Sequence, residues 1–230
     1  MSVRLGPATR SGVDLDAARA FAQRCGVEDG HGERVLGHAR RLLAGSIDSF
    51  DRPERASDYR LRLDLAALLH DVGHLVANRH HNRHSRYLIL NGEPMAAWPK
   101  DLRRHVAELA RAHRGRVTAR RLEKRLDGDD DLVRLAALLR VADGLDVGHA
   151  PGVAILAFGP AGRAFSLVVA GLTELERRRL SERKADLFAP AFGRSLSIRV
   201  EPLPSLAPPA PNGATSTPPA PRASRRVGAG

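Results

Sequence analysis

From about residue 14 to 148, apolar side chains recur mostly at helical spacing, and no β-rich segment interrupts them. The stretch DLDAARAFAQRCG predicts a first helix, with Asp14 near its cap and Gly26 ending it. A second runs through about 29–45, with Val35, Ala39, Leu42 and Leu43 on one face, and stops near Gly45. A third begins near Ser57 and carries LRLDLAALLHDVGHLVA, which is apolar nearly all round and so predicts a central helix buried on most sides. A fourth follows His81 through SRYLILNG and ends at Asn91-Gly92. Residues 101–114 make a fifth, with Leu102, Val106, Leu109 and Ala110 inward, and 132–147 make a sixth, LVRLAALLRVADGLDV. The segment LAALL occurs at both 65–69 and 135–139, which marks two similar buried faces; the similarity fades too quickly for an internal duplication.

The pattern then changes. VAILAF and AFSLVVAG flank GPAGR as two strands around a turn. A charged helix follows, LTELERRRLSERKADLFAPAF, and then a last strand, RSLSIRV. The expected fold is therefore mainly α. After an N-terminal segment, 1–13, a helical bundle covers 14–150, and a small antiparallel β-sheet with one helix covers 151–201 and packs on it. From Pro202 onward, PLPSLAPPAPNGATSTPPAPRASRRVGAG is too rich in Pro, Ala and Ser to build a core, and predicts a disordered basic tail.

Composition narrows the setting. With 43% hydrophobic and 27% charged residues, the 230-residue chain is of ordinary globular type. Cys25 stands alone, which excludes an intrachain disulfide framework and suits a buried small residue. No apolar run reaches signal-peptide or membrane-span length, so a cytoplasmic protein without a membrane partner is expected. The net charge of +11 raises the question of nucleic acid. Its arginines, however, are scattered among Asp and Glu, with local clusters at 176–184 and 222–226, in the manner of a solvated face. That argues against a nucleic-acid partner and suits small or polymeric phosphates, whose oxygens Arg pairs well. A homodimer is left open.

The candidate chemistry lies in the histidines. Residues 68–85, LLHDVGHLVANRHHNRHS, hold five of the ten: His70, His74, His80, His81 and His84. An adjacent His70-Asp71 pair in a buried helix is costly unless something compensates the carboxylate. A divalent cation does so, and imidazole plus carboxylate is a ligand set that Zn, Mn, Fe, Co or Ni accepts. One doublet cannot fill a coordination sphere. Further ligands are available on other helices: His31 opens the second, His81 and His113 belong to the fourth and fifth, and Asp143 sits in the last. A bundle can bring such side chains together.

The order His31, His70-Asp71, Asp143 resembles that of the HD superfamily of metal-dependent phosphohydrolases. The similarity narrows to the HD-like carboxy-terminal domain of exopolyphosphatase/guanosine pentaphosphatase (Ppx/GppA) proteins. It is carried by HGERVLGHARRLL, LAALLHDVGHLV, HHNRHSRYLI, VAELARAHR, RLAALLRVADGLD and ERKADLFAPAFGRSLSI, over roughly 14–200. The resemblance implies a metal held by His31, His70, Asp71 and Asp143. It places His81 and His113 where two-metal HD proteins carry extra histidines, with Asp71 bridging. One or two divalent ions per chain are expected, drawn from Mn, Fe, Zn, Co, Ni or Mg. The actin-like module that carries hydrolysis in the larger proteins has no counterpart in these residues, so any chemistry is expected to use the HD site.

The expected activity is hydrolysis of a nucleotide, phosphate ester or phosphoanhydride by metal-activated water. Asp71 is central to it, and Arg114 and Arg140 could hold non-bridging oxygens. His84 and Lys184 are weaker candidates for phosphate contact. The alternative is a non-catalytic module that binds polyphosphate or a guanosine polyphosphate through its basic surface. Of the remaining histidines, His38 is expected to pack, His74 to orient a ligand by hydrogen bond, and His80, His105 and His149 to lie at the surface. No GxxxxGK[ST] loop, GxSxG elbow or CxxC pair offers a competing chemistry.

Overall fold

The computed structural model describes residues 13–27, 30–146 and 152–202. Helices α1 (Leu15–Arg24), α2 (His31–Ala44), α3 (Ala56–Leu69), α4 (His81–Asn91), α5 (Lys100–Ala112), α6 (Ala119–Glu123) and α7 (Asp130–Leu145) form the bundle. The Asp14 carboxylate caps α1 by accepting the Asp16 amide at 2.9 Å. Helices α3 and α7 are the centre: Leu65–Leu69 and Leu135–Leu139, the two LAALL segments, are all buried. Helix α3 packs against α1, α2, α5 and α7, which explains why it is apolar all round.

One helix is shorter than its pattern predicts. Helix α3 stops at Leu69, with His70 at its C-cap, and Val72–Leu75 form a 3-10 turn. At Gly73 this turn presses on the start of α4: a Cβ there would stand 2.0 Å from the His81 carbonyl oxygen and 2.4 Å from the Ser85 amide nitrogen, so only glycine fits. Ser85 secures the turn: its hydroxyl donates to the His70 carbonyl at 2.5 Å and accepts from the Gly73 amide at 2.9 Å. The short α6, capped by the Thr118 hydroxyl, is too brief for periodicity to announce.

Beyond the bundle, β1 (Ala154–Ala161) and β2 (Ala164–Ala170) form the expected antiparallel hairpin. The charged segment splits into α8 (Glu174–Arg183), opened by a Thr173–Glu176 capping box, and α9 (Phe188–Phe192). That excursion brings β3 (Ser195–Val200) back alongside β2 in the parallel sense, so the sheet is mixed, not purely antiparallel, and carries two helices where one was expected. The mainly helical class with a small β appendage holds. Five of the six phenylalanines line the join. Phe165 meets Phe188 at 5.3 Å, Phe188 stacks on Phe192 at 4.5 Å, and Phe50 links Phe192 to Tyr59 of α3. The segment 1–12, His149 and the tail from 203 lie outside the described residues. Among the described residues no helix is long and apolar enough to cross a membrane.

Candidate metal centre

The histidine-rich sequence converges at the ends of helices. His31 is the first residue of α2, entered through Gly30 in the left-handed conformation at φ 90°. His70 caps α3, His81 opens α4, His113 caps α5, and Asp143 lies in the last turn of α7. The broken end of α3 therefore matters: it releases Asp71 from the helix, and its carboxylate lies between two groups of rings. Asp71 Oδ2 is 3.6 Å from both His31 Nε2 and His70 Nε2, and Oδ1 is 3.3 Å from His81 Nε2 and 3.4 Å from His113 Nε2. Asp143 Oδ1 stands 3.7 Å from His31 and His70 Nε2. The two ring pairs, His31–His70 and His81–His113, each bring Nε2 atoms to 3.1 Å.

The far nitrogen of each ring is already engaged. His31 Nδ1 donates to Asp146 at 2.6 Å, His70 to the Ala67 carbonyl at 2.7 Å, His81 to the Asn78 carbonyl at 3.1 Å and His113 to the Ala110 carbonyl at 2.6 Å. A proton on Nδ1 leaves Nε2 as the ligating atom, so four Nε2 atoms and two carboxylates face one another. Asp146 is itself gripped by Arg34 at 2.7 and 3.0 Å.

Burial and neighbouring charges shift each group in the cluster. Burial, with the neighbouring His70, pushes His113 down to about 3, and burial also lowers His31 and His81. Burial works against a charged His70 too, but Asp71 and Asp143 outweigh it and raise that ring to about 9. Asp71 falls to about 2 in spite of burial, drawn down by His70, and Asp143 lies well below the carboxylate range because Lys184 outweighs its burial. Asp71 Oδ1 is buried without a hydrogen-bond partner. Ligand atoms around a tetrahedral ion of zinc type stand ~3.4 Å apart, given bonds of about 2.0–2.1 Å. The observed 3.1–3.7 Å spacings fit that requirement. A cation bound among these groups would satisfy both the orphaned oxygen and the Nε2 atoms that face it.

The centre opens into a cleft of about 720 Å³ whose walls include Arg114, Arg116, Arg183 and Lys184. Arg114 is exposed there, its guanidinium 3.4 Å from His81 Nδ1. Arg140 is not free in this way. It is buried, and its guanidinium donates to Asp186 and to the carbonyls of Ala112, Gly115 and Arg183. The expected grip on phosphate oxygens is replaced by a brace between the 112–115 and 183–186 segments. Lys184 also departs from expectation: its ammonium bonds to Asp143 and to the His113 carbonyl at 3.3 Å. Gly144 makes room for it, since a Cβ there would lie 2.8 Å from Lys184 Cβ. His84 is half-buried on α4 and does not line the cleft.

Other histidines are redistributed. His80 is exposed as expected, and His38 is half-buried on α2 outside the cluster. His105, expected at the surface, is buried against Arg62 and Asp127. His74 lines the cleft and stacks on His81 with ring centroids 3.9 Å apart. Asp146, Arg34 and Ser85 were missed by sequence reasoning. A carboxylate three residues past Asp143 was the one available signal for Asp146, because i,i+3 positions share a helix face.

The sequence model of the Ppx/GppA phosphatase, domain III, family matches residues 15–149. The chain belongs to that family. The domain III match encloses His31, His70, Asp71, His81, His113, Asp143 and Asp146, whereas Lys184 and Asp186 come from the β appendage beyond it.

Proposed function

We propose that this domain III protein is a metal-dependent phosphohydrolase of HD type, acting on a nucleotide, a phosphate ester or a phosphoanhydride. The observation that carries the reading is Asp71, whose two carboxylate oxygens face two separate groups of histidine nitrogens, with Oδ1 buried and unpartnered. His31, His70, Asp71 and Asp143 would hold one divalent ion, and His81 and His113 with the other oxygen of Asp71 a second. Bound there, such ions supply acidified water and polarise phosphoryl oxygens. The chain's own residues do the rest. Asp146 and the three backbone carbonyls keep the rings oriented, and Lys184 holds Asp143 with Oδ1 turned inward. Arg114 and Arg116, exposed on the cleft wall, neutralise and orient the phosphate group of an incoming substrate. The Arg140–Asp186 pair fixes the wall on which they stand.

The same basic wall supports a second reading, a non-catalytic module that binds polyphosphate or a guanosine polyphosphate. A phosphatase screen of protein purified without chelator, run over nucleotides, simple monoesters and short polyphosphates, separates the two. Turnover that Asp71→Ala abolishes while its circular-dichroism melt remains cooperative supports the enzyme. No turnover of any substrate, with polyphosphate bound equally by wild type and Asp71→Ala, establishes the binding module.

A further inference from the structure

His74 was expected to do no more than orient a neighbour, and its place in the cleft suggests more. It sits three residues after Asp71 in the turn that ends α3, partly exposed, with Nε2 3.8 Å from Asp71 Oδ2. Its ring lies 24° from the plane of His81, which lies 17° from that of His113, so three imidazoles form one nearly parallel stack beside a single carboxylate. The ligand atoms of Asp71, His74 and His81 all fall within 4.8 Å of one another.

The decisive detail is Asn78. Its side-chain oxygen accepts from His74 Nδ1 at 2.9 Å, and its backbone carbonyl accepts from His81 Nδ1 at 3.1 Å. One residue therefore fixes both rings in the same tautomer and leaves both Nε2 atoms on the Asp71 side. A solvated surface histidine has no need of such a clamp. Metal-bound histidines generally do, because the ligating nitrogen must be deprotonated and aimed.

We propose that His74 joins His81 and Asp71 as a ligand of the outer metal position, which makes that position an imidazole-rich site selective for a borderline transition ion over magnesium. The inference rests on the two-position reading of the centre given above. Its chemistry follows from the donor count. The inner set of His31, His70, Asp71 and Asp143 has two nitrogens and two carboxylates and suits a harder ion. The outer set of His74, His81 and Asp71, with His113 beside His81, is dominated by imidazole, which suits zinc, cobalt or nickel and leaves little for an oxygen-seeking magnesium ion. Asn78 is then a positioning residue for the outer site.

The test is calorimetric titration of the metal-free full chain with Co²⁺ and Zn²⁺, with Mg²⁺ competition and the cobalt d–d spectrum as a second readout. Wild type is compared with His74→Ala, Asn78→Ala and a control, His80→Asn, which keeps a residue tolerant of the left-handed backbone at φ 61°. Wild type and His80→Asn should bind two ions, the weaker resisting magnesium. His74→Ala should weaken that second ion at least tenfold and alter its spectrum while the first is unchanged, and Asn78→Ala should give a smaller loss of the same kind. His74→Ala that takes up both ions with wild-type affinity overturns the assignment, as does a second ion that magnesium displaces freely. A single ion in wild type, unchanged in His74→Ala, overturns it too. Wild type that binds no ion at all removes the metal reading itself along with it.

Discussion

The two halves of the centre share Asp71 but are built from different material. The inner half, His31, His70 and Asp143, lies deep between α2, α3 and α7, and each group is held by a fixed neighbour: Asp146, the Ala67 carbonyl and Lys184. The outer half, His74, His81 and His113, faces the cleft; Asn78 in one short loop holds the first two, and the Ala110 carbonyl holds His113. Charge differs as well. The inner half already contains two cations, Lys184 and a His70 raised to about 9, which stand in for part of a metal's charge. In the outer half, burial lowers His81 and pushes His113 down to about 3, and Asp71 Oδ1 has no hydrogen-bond partner.

The largest expected effect removes what the halves share. Asp71→Ala should lose both ions, by more than a hundredfold in affinity, because the only carboxylate common to both sets is gone. Retention of either ion at wild-type affinity would show that the halves are independent. Asp146→Asn should be selective. It keeps the size of the side chain but weakens the charged clamp on His31, so inner affinity should fall about ten- to a hundredfold, with the outer ion little changed.

A pH profile of the metal-free protein distinguishes the halves without mutation. His113 sits at about 3, below its unfolded value, so stability falls as pH drops from about 6.5 toward 3, where the unfolded chain takes up a proton that the fold refuses. Asp71, lowered to about 2, adds a further loss below about 3.8. His70 acts in the opposite direction: raised to about 9, its contribution is full below about 6.5 and is lost as pH rises from there through 9. Melting temperature should therefore peak near pH 6.5 in the metal-free protein. Saturating zinc should abolish the alkaline decline, since a ligating His70 no longer holds its proton. A decline that persists with metal bound would place His70 outside the coordination set.

The smallest effect is at the cleft wall. Arg114→Ala should raise the substrate concentration needed roughly tenfold with metal content unchanged, as expected for loss of one charge-assisted contact. Arg140→Ala should instead lower stability by roughly 3 kcal/mol, because buried carbonyls and Asp186 lose their donors. The reverse pattern would return Arg140 to the phosphate.

The bundle and the His70-Asp71 pair were legible because they depend on local spacing: α3 and α7 announce burial by being apolar all round, and His70-Asp71 is conspicuous inside such a run. What escaped depends on meetings between distant segments. Lys184 looked available for phosphate, since no pattern shows that Gly144 opens a path for it to Asp143. Arg140 looked like a substrate contact, one turn before Asp143, until Asp186 and three carbonyls claimed its donors. The end of α3 at Leu69 was invisible because the run stays apolar beyond it, and the close approach of α4 to Gly73 lies outside the helix. The parallel pairing of β3 likewise follows from the path of α8 and α9, which strand propensity does not encode.

Elemental analysis of the full chain purified without chelator tests the central claim most directly. One or two transition-metal ions per chain are expected, with the site completed on titration where purification has stripped it. Well below one ion per chain, with no uptake of Mn, Fe, Zn, Co or Ni, would contradict it.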